Sequence, residues 1–306
     1  MSITVARRCP TLAELPPSPA NCSGWPWTVE TPPATLLMPA GRSWPLISIV
    51  MPSYNQAQFL EEAVRSVLLQ GYPNLEFIVM DGGSNDGSVT ILERYAPWFS
   101  YWQSQQDGGQ SAAIAEGFDR SRGTLMAWLN SDDRFQPGAL ARVAQFFAAN
   151  PRVGFGNGDV HIIDAESRIS RRAYAIRPVP TITANLGAHS WAQQGCFWRS
   201  EAYRRIGGLD RSLKFCMDRD LFLRLARSGP SKRIPGPALG DFRLHEDAKT
   251  ARWGEIHHRE DTLLRERHGS RMRHNPAYQL WLRCMWELEV LKRGVRRRFV
   301  RLGLEV

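Results

Sequence analysis

Between residues 46 and 150 the sequence alternates short apolar runs with segments whose apolar side chains recur at helical spacing. The short runs are rich in β-branched residues and end at proline, glycine or a polar cluster, which is typical of buried strands. The strands predicted in this way are Leu46–Met51, Leu75–Met80, Phe99–Gln103 and Leu125–Leu129, each followed by a helix. Such alternation predicts an α/β fold with a Rossmann-like, mostly parallel sheet flanked by helices.

The pattern is less regular after residue 150. It predicts strands at Val160–Ile163, Ala173–Ile176 and Gly236–Leu244, and helices at Asp218–Ala226 and Ala277–Arg301, the last interrupted near Gly294. The segment Gly154–Gly158 is interpreted as a bulge or turn, because its glycine spacing matches no phosphate-binding loop. The long final helix predicts a C-terminal helical extension.

Composition divides the chain into three parts. Residues 1–44 are rich in proline and lack periodic apolar positions, so we expect an irregular or disordered extension. Residues 45–250 hold the α/β pattern and are predicted to form one domain with two halves, 45–150 and 151–250. Residues 251–306 contain the final helix and its cluster of arginines, and are predicted to form a basic helical tail.

Charge and cysteine content narrow the functional classes. The net charge of +9 suggests polyanionic partners, but much of it lies in the run 292–301, which is more typical of a solvated helix face. The 5 cysteines are scattered and form no paired motif, which argues against a disulfide framework and favours a reducing compartment. No run approaches the ~20 apolar residues of a membrane span. The expected location is therefore the cytoplasm.

Polar clusters follow four of the predicted strands, at the edge of the sheet where parallel α/β folds bind ligands. These clusters are Pro52–Asn55, Asp81–Gly87, Asp107–Gln110 and Asn130–Asp133. None of them is a glycine-rich phosphate cradle. A bound pyrophosphate would therefore need another positive partner, and the last cluster can hold Mn²⁺ or Mg²⁺ through its carboxylates. The alternative is that the same aspartates cap the following helix.

Several single residues, inside and outside these clusters, each have two interpretations. Asp81 can accept a nucleobase N–H or order an Asp-Gly turn, and Tyr54 can stack on a base or pack. Asp218 can act chemically or stabilise its helix N-terminus, as can Asp220, which also has an arginine four residues later. His245 is either structural or a metal ligand beside carboxylates.

Taken in order, the motifs resemble those of the family 2 glycosyltransferases, which are inverting enzymes of the GT-A fold that act in bacterial polysaccharide or glycolipid synthesis. The resemblance covers about residues 46–250. It is carried by the segments Ser48–Asn55, Asp81–Ser88, Asp107–Ile114, Trp128–Asp133, Gly207–Asp210, Met217–Leu221 and Phe242–His245.

The resemblance implies a nucleotide-binding half at 45–150 and an acceptor half at 151–250. It also implies a role for each matching residue: donor-pocket positions at Pro52, Tyr54, Asp81, Asp107, Gln110, Asn130 and Asp132, metal ligands at Asp132, Asp133 and His245, and the general base at Asp218. Two positions depart from the family pattern. Asn130 replaces the first aspartate of the usual Asp-x-Asp, and Met217 replaces the common glutamate before the base. Which of the two adjacent aspartates binds metal stays open.

The expected reaction is transfer of a sugar from a nucleotide sugar, with UDP favoured, to a hydroxyl of a saccharide or lipid-linked acceptor. The alternatives are a sugar-phosphate nucleotidyltransferase, which would need a basic glycine-rich loop after the first strand, and a non-catalytic nucleotide-sugar binder. Nucleic acid is not an expected partner, because the basic residues cluster at the tail rather than among aromatic residues. The tail itself fits either a helix resting on an anionic membrane or one packed on the domain.

Overall fold

The computed structural model describes residues 7–188, 191–249 and 254–301. Within these ranges the strands are β1 (Ile47–Ser53), β2 (Leu75–Asp81), β3 (Tyr101–Ser104), β4 (Leu125–Trp128), β5 (Arg134–Phe135), β6 (Phe155–Asn157), β7 (Val160–Ile163), β8 (Ile169–Ala173), β9 (Cys196–Arg199), β10 (Ser231–Arg233) and β11 (Gly240–Arg243). The helices are α1 (Ala57–Leu68), α2 (Ser88–Tyr95), α3 (Gln110–Arg120), α4 (Ala139–Ala149), α5 (Pro180–Leu186), α6 (Ser200–Arg205), α7 (Met217–Ser228), α8 (Glu255–His268) and α9 (Pro276–Arg301).

The predicted mostly parallel α/β architecture is confirmed. A seven-stranded sheet has the order β10-β6-β9-β4-β1-β2-β3, and β9 runs antiparallel to both of its neighbours. A smaller sheet has the order β5-β11-β7-β8. The order of the large sheet reverses beside β1, so the crevice beyond the carboxyl ends of β1 and β4 is the ligand position expected for such a fold.

Two features of the sequence explain the packing around the large sheet. Strands β1 and β2 are buried along their whole length because helices cover both faces, which is why they are continuous apolar runs. Behind β4 and β9 an aromatic cluster fills the core, with the Trp128 ring stacked on Phe222 at 5.4 Å and edge-on to Trp198 at 5.7 Å. Such pairs contribute about 0.5–1.5 kcal/mol each beyond their buried area.

From residue 7 onward the N-terminal segment is irregular, and it is packed on the domain rather than disordered. Cys9 and Trp44 are buried in the common core. The buried Arg65 guanidinium of α1 donates to the backbone oxygens of Pro16, Pro26 and Trp27 at 2.9–3.1 Å. Proline-rich chain offers carbonyls without N–H groups, so a single cation can satisfy several of them.

Several predicted boundaries in the second half were wrong. The edge strand is Ile169–Ala173 rather than Ala173–Ile176, and the segment interpreted as a bulge or turn forms strand β6. Helix α9 runs through Gly294 without a break, because one glycine costs only about 1 kcal/mol in a helix. Helix α8 was not predicted, since its sequence shows little apolar periodicity. None of the helices in the described ranges has the length and apolarity needed to cross a bilayer.

Candidate active site

The first wall of the site is formed by the ends of β1, β2 and β3, which stop at the same level. Ser53 pairs with Asp81, and Asp81 pairs with Ser104. Gly82 lies just beyond this level, where a Cβ would be 3.3 Å from both Tyr54 Cδ2 and Asp107 Oδ2. Tyr54 is 61% exposed, so its ring is available to a ligand instead of packing in the core. The predicted donor residues Tyr54 and Asp107 are therefore neighbours across a bare backbone.

Asp81 holds the turn that follows β2. Its Oδ2 accepts the N–H groups of Gly83 and Ser84 at 3.1 and 2.9 Å and the Ser104 hydroxyl at 2.7 Å. The Ser84 hydroxyl donates to Oδ1 at 2.6 Å, and the residue is 1% exposed. The turn interpretation of Asp81 is thus visible in the structure, whereas its contact with a base stays a prediction. Pro52, which pairs with Met80 in the sheet, is buried within β1.

The loop after β4 gives its two adjacent aspartates different surroundings. Asp133 is buried and accepts the Gln194 amide at 2.6 Å, the Asn130 amide at 3.1 Å and the Arg243 backbone N–H at 2.9 Å. Burial raises the pKa of Asp133 well above its usual range, and the charge of Asp132 raises it further. The hydrogen bonds of Asp133 therefore stay within the protein and hold the loop after β4 in place.

Asp132 instead faces His245, which lies just after the end of β11. Its Oδ2 lies 3.1 Å from His245 Nε2, and its side chain is 19% exposed. The imidazole packs on the Phe59 ring at 4.7 Å, and the Arg243 guanidinium fixes the loop by donating to the Asp132 carbonyl at 2.7 Å. The three residues predicted to bind metal are thus neighbours, but only two have side chains directed to each other.

Asp132 and His245 are a partial set of ligands for a divalent cation. No cluster of three or more histidine, cysteine, aspartate or glutamate side chains with metal-binding geometry occurs in the described ranges. Mg²⁺ and similar cations are commonly held by only one or two carboxylates, with substrate phosphates and water completing the coordination. The partly exposed Asp132 carboxylate fits such a site, and Asp133 does not.

The second wall is linked to this loop through Gln110. The Gln110 amide donates to Asn130 Oδ1 at 2.9 Å and accepts from Lys249 Nζ at 2.7 Å. Desolvation lowers the pKa of Lys249, and the negative charges of Asp218 and Glu260 oppose this lowering. Lys249 therefore lies between the donor-side loop and Asp218. Sequence reasoning missed it, although it follows the His245 motif by four residues.

Asp218 is the second residue of α7 and is half-buried. Its Oδ1 accepts the Arg219 backbone N–H at 2.7 Å. Burial raises the pKa of the Cys196 thiol at the start of β9, and the charge of Asp218 raises it further, so the carboxylate lies close to that strand. The 3₁₀ turn Gln193–Gly195 directly before β9 contacts the Asn130–Asp133 loop. The strand near Asp218 is thus joined to the Asn130–Asp133 loop by this turn.

Asp220, the alternative base candidate, is committed to other partners. It is fully buried, and it accepts from Arg224 at 2.8 and 2.5 Å and from His268 at 2.8 Å. Burial alone would raise its pKa, but the hydrogen bonds from His268 and Arg224 lower it. A carboxylate with these partners anchors α7 and cannot reach an acceptor hydroxyl.

Glu260 of α8 is a further site element that sequence reasoning missed. Its buried carboxylate accepts the backbone N–H groups of Lys214, Phe215 and Cys216 at 2.6, 2.8 and 2.8 Å. Cys216 is the N-cap of α7 and offers no capping side-chain bond of its own. Glu260 therefore holds the backbone directly before α7 and Asp218.

Comparison with known proteins agrees with this architecture. The domain described as Glycosyl transferase family 2 matches residues 48–204. Rv1514c of Mycobacterium tuberculosis, an uncharacterized glycosyltransferase, is 28% identical over 238 residues, which cover 71% of this chain and 86% of that protein.

Two solved structures share the fold. The mannosyltransferase PcManGT from Pyrobaculum calidifontis, in complex with GDP-Man and Mn²⁺, has a TM-score of 0.53 at 19% identity, covering 82% of this chain and 74% of that one. TarS from S. aureus, in complex with UDP-GlcNAc, has a TM-score of 0.54 at 15% identity, covering 69% of this chain and 62% of that one. These likenesses concern the fold. The family match spans more than half of the chain, and the protein therefore belongs to glycosyl transferase family 2 and is a glycosyltransferase.

Proposed function

We propose that the protein transfers a sugar from a nucleotide sugar, most favourably a UDP-sugar, to a hydroxyl of a saccharide or lipid-linked acceptor, with inversion at the anomeric carbon. The observation that carries the proposal is the division of carboxylates within one connected site. Asp132 and His245 lie at the ends of β4 and β11, and Asp218 lies on α7. Lys249 donates to Gln110, which donates to Asn130, and the charge of Asp218 acts on Lys249.

In this proposal the acceptor oxygen attacks the anomeric carbon as the bond to the donor diphosphate breaks. Asp218 takes the proton of the hydroxyl, and the diphosphate leaves with the bonding electron pair. A half-buried carboxylate suits this task because it is accessible on one side and positioned by α7 on the other. The same attack from the face opposite the leaving group gives inversion.

Asp132 and His245 would hold Mn²⁺ or Mg²⁺, which when bound neutralises charge on the departing diphosphate. The exposed Tyr54 ring is suited to stack on the base, and Asp107 and Gln110 extend the donor pocket from the same edge of the sheet. The Mn²⁺ in the complex of PcManGT and the UDP-GlcNAc in the complex of TarS support this choice of ligands.

The test uses UDP-, GDP- and dTDP-sugars with Mn²⁺, with Mg²⁺ or with EDTA. We expect calorimetric binding of UDP-sugars that requires the divalent cation, and UDP release in the presence of saccharide acceptors. The anomeric configuration of the product, measured by NMR, tests inversion. Retention would contradict the role of Asp218 as a base acting on the acceptor. Metal-independent binding would contradict the roles of Asp132 and His245.

We also propose that the enzyme works at the cytoplasmic face of a membrane, with α9 resting on it. Leu280, Trp281, Leu288, Leu291 and Val295 are 50–64% exposed on this helix, and arginines follow them. Amphipathic helices with apolar and basic faces bind anionic interfaces. Trp281→Ser combined with Leu288→Ser should reduce co-sedimentation with phosphatidylglycerol vesicles. Equal pelleting of this variant and the wild-type protein would reject the membrane role.

A further inference from the structure

A cavity of about 670 Å³ lies between β8, the segment at Trp191 and Ala192, and helix α9. Its polar lining comes mainly from arginines: Arg171 and Arg172 on β8, and Arg293 and Arg297 on α9. The rings of Tyr174 and Trp191 complete its walls. None of the described residues that line this cavity is an aspartate or a glutamate. The chemistry of the walls is therefore that of a site for an anion attached to a less polar group.

Arg293 gives the strongest indication of a ligand. Its Nε and Nη2 atoms are buried and have no hydrogen-bond partner within the described part of the chain. The guanidinium lies 5.4 Å from the Trp286 ring, and burial lowers its pKa. A buried cationic donor without a partner costs free energy, so such a group calls for an explanation, and an anion at this position supplies one.

The β8 side of the cavity repeats this arrangement. Arg172 is held from behind, because one of its guanidinium nitrogens is 2.7 Å from Asp159 Oδ2 and lies 2.8 Å from the Gly236 carbonyl. Its Nε is buried without a hydrogen-bond partner in the described ranges, and the cation lies over the Tyr174 ring at 5.2 Å. A positioned guanidinium with a spare N–H matches the geometry with which arginine binds phosphate.

The cavity is separate from the donor pocket but adjoins the acceptor side of the site. Tyr54, Asp107 and the other proposed donor residues do not line it. Ala192, which does, directly precedes Gln193, whose side chain lies 3.4 Å from the Asn130 amide. The cavity is therefore joined to the Asn130–Asp133 loop through the turn that follows Ala192.

We propose that the cavity binds the phosphate or diphosphate group of the acceptor, with Arg293 and Arg172 as its principal ligands. The inference rests on the proposed function, because it assigns a chemical class to the acceptor of that reaction. The apolar wall of Ala173, Ala175 and Val290 suits the chain that carries the phosphate. The same chemistry is offered by a phospholipid headgroup, and the experiment separates the two sources.

Calorimetric titrations with inorganic pyrophosphate and farnesyl diphosphate test the site on the full chain. EDTA is present throughout, so that a metal-dependent donor site does not contribute. We expect both ligands to bind the wild-type protein and Arg293→Gln to weaken both by about tenfold or more, since a charged hydrogen bond is lost. Arg283→Gln is the matched control, because it removes an exposed arginine of the same helix that does not line the cavity. Asp132→Ala reports on the donor site and should leave both affinities unchanged.

Equal weakening by Arg293→Gln and Arg283→Gln would mean non-specific charge attraction and would overturn the proposal, as would the absence of binding. Pelleting with phosphatidylglycerol vesicles without binding of soluble diphosphates would assign the arginines to a lipid surface and would also overturn it.

A kinetic experiment separates this proposal from the proposed function. Arg293→Gln should raise KM for a diphosphate-linked acceptor while turnover of a phosphate-free saccharide stays unchanged. If the wild-type protein turned over none of the acceptors, this result would instead contradict the proposed function.

Discussion

The two halves of the domain build their parts of the site in different ways. In residues 45–150 two of the polar groups are held mainly by their own loops, Asp81 by Gly83 and Ser84 and Asp107 by Gly109. After residue 150 the site is held by contacts between elements far apart in sequence. Glu260 reaches back to the residues before Asp218, and Arg243 joins the Asp132 carbonyl to Glu62 of α1.

The difference has an energetic consequence. A local turn is stabilised by the residues that form it, so it tolerates changes elsewhere in the chain. A long-range buried charge depends on both of its partners, and removal of one partner leaves the other uncompensated, which costs several kcal/mol in typical cases. We therefore expect substitutions of the exposed donor-side groups to change ligand affinity, and substitution of the buried Asp133 to change stability. Substitutions on the acceptor side should also change stability, except at Asp218 itself.

The largest effect is expected at Asp218, which is part of the acceptor side but is not one of its anchors. Asp218→Asn should lower turnover by roughly 10²–10⁴-fold, because the amide cannot accept the hydroxyl proton. Donor affinity should stay the same, as should the free energy of unfolding to within about 1 kcal/mol, the size of a charge–dipole interaction. Initial rates, donor calorimetry and urea unfolding separate the three quantities.

The exposed Asp119 provides the control for this substitution, as Asp119→Asn removes a carboxylate charge from the end of α3. Its turnover should match that of the wild-type protein. Near-normal turnover of Asp218→Asn would place the base elsewhere, and Asp220 could not replace it because Arg224 and His268 occupy its carboxylate.

The two adjacent aspartates give a second test within the donor side. Asp132→Ala should weaken binding of UDP with Mn²⁺ by at least 10- to 100-fold, the loss typical even for an outer partner of a metal ligand, with little change in stability. Asp133→Asn should instead destabilise the fold by about 1–3 kcal/mol, because the new NH₂ group must face buried donors, either those of Gln194 and Asn130 or the N–H of Arg243. Calorimetry and urea unfolding on both variants decide the assignment. The reverse pattern would make Asp133 the metal ligand.

The same contrast explains how much could be predicted from the sequence. Strands β1, β2 and β4 were predicted to within two residues, and their polar loops were correctly expected to share one edge, because the information lies in local periodicity. Strands β6 and β9 and helix α8 were not predicted. Their positions depend on partners distant in sequence, such as the three backbone N–H groups that Glu260 accepts. No local pattern distinguishes Glu260 from the exposed Glu255 in the same helix.

That pair of glutamates supplies a third test. Glu260→Gln replaces one acceptor oxygen with an NH₂ group that faces a backbone N–H, so the free energy of unfolding should fall by about 1–3 kcal/mol. Turnover should fall as well, because the backbone before Asp218 loses its anchor, while donor affinity should not. Glu255→Gln, at a surface position where the carboxylate pairs with Arg259, should change none of these quantities. Equal behaviour of the two variants would show that α8 does not position the acceptor side.

The smallest expected effect is a pH dependence of stability that arises from Asp220. Burial would raise the pKa of this carboxyl, but hydrogen bonds from His268 and Arg224 lower it below its ordinary value. A carboxylate whose folded pKa is depressed contributes stability that is fully present above its unfolded pKa of about 3.9 and is lost as the pH falls through the folded pKa. Asp220→Asn should therefore flatten the acid limb of the unfolding free energy below about pH 4. Urea unfolding at a series of pH values measures the slope of this acid limb, and Asp119→Asn should retain the wild-type curve because that carboxylate is exposed.

An acid limb of Asp220→Asn as steep as that of the wild-type protein would mean that α7 is not held to α8 through this charge. The long-range character of the acceptor side would then rest on Glu260 and on the Arg219–Asp261 pair.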